Sequence, residues 1–359
     1  MQELSLLVAA FKHSKKVDFA KIHNSLPLLP HLDLALSRSN RSNVVHTGYE
    51  SVLAYLLGLK SIEPSGFPTA AYTYLLDVGE SKHTWYVRAD PVCLQPDRDR
   101  VVMVSANLTN ITMADAQAIS QEINHIYRDE PWQFVTPHPQ RWYILLQDDP
   151  CIETAGIDQV MGQNIDNYLP TGPNHKYWRS ILNEIQMLLH SHSVNEQRSS
   201  QDLPSINSLW LWGDGTLPEQ EASLINANIS KCDHVWSNDA LCKGVAKYHN
   251  ITCLDLQENG GDWLDSCKEL YCKQLNTKQL NHGLVIIEDP TQRVQFDLYE
   301  WLNWLSHWQD AWLKPLLSAL KSGQIEKLNL HFGNGQMYSL SRSDLKKWWR
   351  FKRPWYSFK

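Results

Sequence analysis

With 359 residues, 43% of them hydrophobic, the chain is long enough for one large domain or two ordinary ones and can fill a sizeable core. A formal charge of −6, from 39 acidic against 33 Lys and Arg residues, gives no electrostatic reason to expect nucleic-acid binding across the whole surface, so any polyanion contact would be local. Seven cysteines, an odd number without a CxxC pair, read as reduced thiols of a cytoplasmic protein and not as a disulfide framework.

The first apolar stretch, Leu4 to Phe11, lacks a basic leader, a small-residue cleavage site and the roughly 20 residues needed to cross a bilayer, so neither secretion nor a membrane span is expected. Val101 to Val104 is a β-branched apolar run suited to a buried strand. Thr112 and Asp115 then stand three apart as a capping-box variant, and Ile119, Ile123 and Ile126 recur at helical spacing. Pro131, Pro137 and Pro139 interrupt the chain before a second strand-like run, Trp142 to Leu146. Together these predict a compact α+β module at 86–148, inserted between two parts of an α/β core at 1–85 and 149–359.

Trp178, Leu182, Ile185 and Leu189 form one apolar stripe, which predicts an amphipathic helix ending near His190. Residues 196–204 are polar and loop-like, and Ile206 to Trp212 reads as a strand ending in a Gly213, Asp214, Gly215 turn. Leu284 to Ile287 is a short apolar run that stops at Glu288, Asp289 and Pro290, a carboxyl-end position where ligand groups project in α/β sheets. Leu298, Trp301, Leu305, Trp308 and Trp312 predict a long helix ending close to Pro315. Leu328, Leu330 and Phe332 alternate, and Gly333, Asn334 and Gly335 turn the chain into a second strand near Met337 to Leu340.

Five stretches carry a family resemblance: WYVRADPVCLQPDRDR, PHPQRWYILL, VMGQNIDNYLPTG, LNEIQMLLHSHSVNEQR and INSLWLWGDGTLP. Through them the chain resembles the archaeal-type, cofactor-independent phosphoglycerate mutases of the alkaline phosphatase superfamily, and more strongly their bacterial relatives, the RpfE-type regulatory proteins. The resemblance implies an α/β fold: a phosphatase-superfamily-like mixed sheet flanked by helices, with a small inserted α+β module. The archaeal-type enzymes, as the resemblance implies, use two divalent metals held by Asp and His to activate a serine that carries the phosphoryl group. Here the expected N-terminal Asp-Gly pair is absent, since Asp18 and Asp33 are the only Asp residues before position 77 and neither precedes Gly. The motif of Asp followed four residues on by His falls at Asp289, where Arg293 stands at the His position, and Arg cannot act as a neutral imidazole ligand. The Asp-His-Thr-Thr-Pro type motif is also missing.

Several residues qualify as candidate sites. His190, His192, Asn195 and Arg198 follow the amphipathic helix and suit a phosphate or carboxylate; the alternative is a capped helix end with a fixed loop. Asp214 sits between two glycines that let backbone approach a ligand, or merely turn the chain. Asp289, with Glu288 and Asp297, is a candidate metal ligand. Cys253, Cys267, Cys272 and His282 match no structural zinc spacing.

The tail from Lys346 to Lys359 combines six basic with six aromatic residues. Lys346, Lys347, Arg350, Lys352 and Arg353 suit a membrane surface, an acidic partner or single-stranded nucleic acid. The bland alternative is a docked helix with Leu345, Trp348 and Trp349 facing the core.

The expected function is that of a non-catalytic relative of the mutases, a cytoplasmic regulatory or interaction protein without a cofactor and with a protein partner not identified by any residue. The alternative is a metal-dependent phosphoglycerate mutase or other phosphoryl-transfer enzyme, using manganese or magnesium through substituted ligands.

Overall fold

The computed structural model describes residues 1–8, 19–22, 25–59, 66–81, 85–105, 110–219, 232–273, 281–288 and 297–358. Among them are twelve strands: β1 (Glu3–Val8), β2 (Asn40–Thr47), β3 (Trp85–Asp97), β4 (Arg100–Ser105), β5 (Trp132–His138), β6 (Arg141–Leu146), β7 (Ser208–Gly215), β8 (His234–Trp236), β9 (Thr252–Leu254), β10 (His282–Ile287), β11 (Lys327–His331) and β12 (Asn334–Ser341). The chain divides into two compact units, one of Met1–Ser61, Gln220–Asp289 and Asp297–Lys359, the other of Ile62–Glu219 with Pro290–Phe296.

The first unit is built on a seven-stranded sheet in the order β2-β12-β11-β1-β10-β8-β9. Strands β11, β1, β10, β8 and β9 run parallel, while β12 and β2 add antiparallel pairings at one edge. Parallel strands covered on both faces read as continuous apolar runs, and β1 and β10 do so: Leu4, Leu6, Leu7 and Val8 meet Leu284 to Ile287 in the core.

The helix expected to stop near Pro315 does not stop there. It passes from Leu298–Trp308 through a π-helical turn at Gln309–Leu313 into Lys314–Ser322, and ends at Gly323 in the left-handed conformation. Pro315 would break a regular helical ladder at this point, and the wide π-helical turn before it accommodates the ring and the missing N–H. Trp301, Leu305, Trp308 and Trp312 are all buried, as their spacing predicts.

In the second unit, β3 is the antiparallel centre: its first half lies between β6 and β7, and its second half pairs with β4, while β5 extends the sheet beyond β6. One face of this sheet carries Val87, Ala89, Trp142, Ile144, Leu209 and Leu211. Against them pack Ile119 and Ile123 of helix Met113–Ile126 and the full predicted stripe of helix His175–His190. The capping box is formed: Asp115 N–H donates to Thr112 Oγ1 at 3.1 Å, and Thr112 N–H donates to Asp115 Oδ2 at 2.9 Å. The 86–148 module lies inside this unit, which extends to Ile62 and Glu219 because β7 and helix Thr69–Val78 pack on β3.

Two local readings are corrected here. The polar stretch read as a loop at 196–204 begins within a helix, Ser193–Ser200, whose N-cap is His192. The glycines of Gly213-Asp214-Gly215 lie within β7 and do not form a turn. Added Cβ atoms would meet the Thr69 Cβ at 2.9 Å from Gly213 and the Pro68 Cβ at 2.8 Å from Gly215, so the glycines permit close approach of the start of helix Thr69–Val78.

Candidate functional site

His192, Asn195 and Arg198, predicted after the amphipathic helix, are all buried there and tie the chain locally. His192 is buried; its Nδ1 accepts from Val194 N–H at 3.1 Å, and its Nε2 lies 3.2 Å from Glu122. Buried Asn195 donates to the carbonyls of Leu189 and Ile206, each at 2.7 Å, and accepts from Ile206 N–H at 2.8 Å. Arg198 donates to the carbonyl oxygens of Pro204 at 2.9 Å and Asn110 at 3.2 Å. These bonds satisfy buried polar groups and fix the entry to β7. His190 is exposed at the helix end. Asp214 accepts from the Thr154 hydroxyl at 2.7 Å, and burial raises its carboxyl pKa.

A polar cluster that sequence reasoning missed lies on the opposite face of the same sheet. Arg88 is paired in register with Tyr143 on β6 and Trp212 on β7, and its guanidinium carbon stands 5.2 Å from one ring centroid and 5.1 Å from the other. Such stacking suits a planar, weakly hydrated cation. Its Nε and Nη2 donate to Asp90, which also accepts from Trp142 N–H at 3.2 Å and Trp212 Nε1 at 2.9 Å. Arg88 Nη1 reaches Thr73 Oγ1 at 3.2 Å. Next to it, Asp77 accepts from Arg141 Nε at 2.9 Å and from the Tyr143 hydroxyl at 2.6 Å. Thr73 and Asp77 stand four apart on helix Thr69–Val78, so the network rivets that helix to the sheet. Its charges are paired within the protein, Arg88 with Asp90 and Arg141 with Asp77. The signal for it was the Arg-Ala-Asp spacing in WYVRADPVCL, which puts two charges on one face of a strand.

The first unit offers groups at the carboxyl ends of its parallel strands, where α/β sheets place ligands. Past β8, Asp239 caps helix Ala240–Tyr248, its Oδ1 accepting from Cys242 N–H at 2.7 Å and from the Tyr49 hydroxyl at 2.6 Å. Ser237 Oγ accepts from Asp239 N–H at 3.1 Å. Burial, and then the Asp239 charge, holds the Tyr49 hydroxyl well above its usual pKa, so it acts as a donor and not as a phenolate. Past β10, Glu288 is exposed, and its charge raises the Tyr49 pKa further. Asp289 and Arg293 lie outside the described residues. Asp297 caps helix Leu298–Trp308, accepting from Tyr299 N–H at 2.7 Å and Glu300 N–H at 3.0 Å. Asp255, past β9, is bound by Lys243 Nζ at 2.7 Å. Among the described residues no three His, Cys, Asp or Glu side chains converge as metal ligands.

The tail docks on the first unit, though not as a helix with Trp348 and Trp349 inward. It makes a 3-10 turn at Asp344–Lys346, continues irregularly, and makes another at Trp355–Ser357. The buried anchor is Trp355, whose ring packs edge-on to Phe19 and Trp301. Asp344 fixes the start by accepting from Ser341 N–H at 2.8 Å and by pairing with Lys347. Trp348 is 75% exposed and Trp349 58%. Lys346, Lys352 and Arg353 are exposed, whereas Arg350 donates to the carbonyl of Ser39 at 2.8 Å.

Among solved structures, a protein from Pyrococcus horikoshii aligns with 95% of this chain and 87% of its own at a TM-score of 0.50 and 12% identity. The cofactor-independent phosphoglycerate mutase of Thermoplasma acidophilum aligns with 95% and 90% at a TM-score of 0.42 and 16% identity. In sequence, 164 residues are 25% identical to the probable 2,3-bisphosphoglycerate-independent phosphoglycerate mutase of Geobacter sulfurreducens, covering 44% of this chain and 41% of that protein. The corresponding Methanosarcina barkeri mutase is 23% identical over 159 residues, 44% and 39% of the two chains. The chain is related to the cofactor-independent phosphoglycerate mutases. It spans less than half the length of these curated relatives. No family model matches it. The fold, a mixed sheet flanked by helices, is shared with the Pyrococcus horikoshii protein. Among the described residues, no helix is long and apolar enough to cross a membrane.

Proposed function

We propose that this chain is a non-catalytic relative of the cofactor-independent phosphoglycerate mutases, acting as a cytoplasmic regulatory or interaction protein of the RpfE type. The observation that carries the proposal is the bonding of Asp239. Past the end of β8 its Oδ1 is held by the Tyr49 hydroxyl and the Cys242 amide, so this carboxylate already serves as a helix cap. The substitution of Arg293 for the expected histidine supports the same reading. A bacterial origin fits the regulatory relatives.

The test is a metal analysis of purified protein after equilibration with manganese or magnesium and gel filtration. Binding below a tenth of an ion per chain is expected; two ions per chain would defeat the proposal. The second reading, a metal-dependent phosphoglycerate mutase with substituted ligands, is favoured by the names of the relatives in the sequence comparison. It requires those two ions.

A further inference from the structure

The tail and the end of helix Pro30–Arg38 enclose an open groove of about 660 Å³ in the first unit. Among the described residues its cations are Arg41, Arg350 and Arg353, and no Asp or Glu lines it. Arg350 Nη1 donates to the carbonyl oxygens of Arg38 at 3.1 Å and Ser39 at 2.8 Å, and its Nη2 to Asn40 Oδ1 at 3.2 Å; none of these neutralises its charge. Arg41 stands 4.5 Å from the Phe358 ring centroid and 5.5 Å from that of Tyr338. Arg353 is anchored by its backbone N–H, which donates to Ser37 Oγ at 2.8 Å, leaving an exposed side chain. The nearby carboxylates are engaged: Asp344 by Lys347 and Ser341, and Asp33 by the Trp355 N–H at 2.7 Å.

Aromatic rings alternate with these cations. Trp349 and Phe351 line the groove while exposed to solvent, Phe351 by 82%. Leaving them in water forgoes the stabilisation that burial of such rings supplies, which marks them for contact with a partner. Ser37, Ser39 and Asn40 make the rest of the lining polar, and Leu36 is its only aliphatic member among the described residues.

We propose that this groove binds single-stranded nucleic acid, with Arg41, Arg350 and Arg353 facing phosphates and Trp349 and Phe351 stacking on bases. Guanidinium groups without a carboxylate partner among the described residues, beside exposed rings, match a polyanion that carries flat π-faces at regular intervals. A groove lined by Ser37, Ser39 and Asn40, with Leu36 as its one aliphatic member among the described residues, offers a sugar-phosphate strand polar partners and acyl chains little aliphatic surface. The net charge of −6 does not prevent this, since salt screens charges beyond about 8 Å under physiological conditions and the groove acts locally. The inference supplies a partner class for the interaction role proposed above, yet it rests on the groove; metal content bears on that role and leaves this one untouched.

The test is fluorescence anisotropy of a labelled 12-residue oligothymidylate with the full chain, titrated from 50 to 200 mM salt. Affinity should fall with salt at a log-log slope near −2, about −0.7 for each of three phosphates. Arg353→Ala should make the slope shallower by about 0.7. Trp349→Ala and, separately, Phe351→Ala should weaken binding about tenfold at fixed salt while keeping the slope. Lys268→Ala, on a helix away from the groove lining, should change nothing. Thermal unfolding of each variant should match the parent. The proposal is overturned by absence of oligonucleotide binding at 50 mM salt, by binding that none of the three groove variants weakens, or by binding to phosphatidylserine vesicles alone.

Discussion

Arg88 and Asp90, two residues apart on β3, form a buried ion pair in which Arg88 Nη2 lies 2.8 and 2.7 Å from the two carboxylate oxygens. With the Arg88 residue 5% exposed and Asp90 3%, the pair is removed from water, and Tyr143 and Trp212 cover the cation from the two neighbouring strands. The arrangement holds helix Thr69–Val78 through Thr73.

Breaking the pair should be costly. Asp90→Ala leaves a buried guanidinium without its counterion, for which a loss of about 3–5 kcal/mol is expected. Urea unfolding of Asp90→Ala and of Arg88→Met with Asp90→Leu measures it; the double variant should recover part of the loss, because no unpaired charge is left behind.

The glycines of β7 make a second test. Gly215 has φ of 144° and Gly213 of 61°, and each faces a close neighbour at the start of the helix. Gly215→Ala must displace Pro68 and strain the backbone, so a loss on the order of 2 kcal/mol is expected. Ala at Gly66, with φ of 87° and nothing within 4 Å of its Cβ, should suffer only the conformational part, and comparison of the two thermal unfolding curves separates the effects.

Much of this fold was legible because it depends on local periodicity. The 175–190 helix, the Thr112 capping box and the β10 run all follow from side-chain spacing and capping chemistry, which act within a few residues. Of the Arg88 network only the Arg-Ala-Asp spacing was legible, since its partners Tyr143 and Trp212 lie 55 and 124 residues away (143 − 88 and 212 − 88) and meet Arg88 only once strands pair. Helix Ser193–Ser200 lacks an apolar stripe, and buried Asn195 and Arg198 anchor it through backbone carbonyls that no pattern reveals. In the tail, helical spacing of Leu345, Trp348 and Trp349 misled, because Asp344 ties the chain early and Trp355 supplies the anchor instead.

His331 sets a pH dependence. It is buried in β11, its Nε2 has no hydrogen-bond partner among the described residues, and burial pushes its pKa from 6.5 down to about 4, with the nearby His282 charge acting in the same direction. The folded imidazole stays neutral where the unfolded one takes up a proton. Its contribution is therefore complete above pH 6.5 and is lost as pH falls toward 4, below which no further loss follows. Each unit of depression corresponds to about 1.4 kcal/mol. Chemical unfolding across this range should show the decline in the parent and a flatter profile in His331→Gln.

Tyr49→Phe removes the hydroxyl that bonds Asp239 and should lower stability by about 1 kcal/mol, while Asp239→Ala also removes the helix cap and should cost about 2 kcal/mol. Both are read by urea unfolding.

The most direct measurement is conversion of 3-phosphoglycerate to 2-phosphoglycerate by the purified full chain in the presence of manganese or magnesium. A non-catalytic relative gives no turnover above the metal-only control. Turnover that follows protein concentration and disappears with a chelator would contradict that claim and establish a working metal centre.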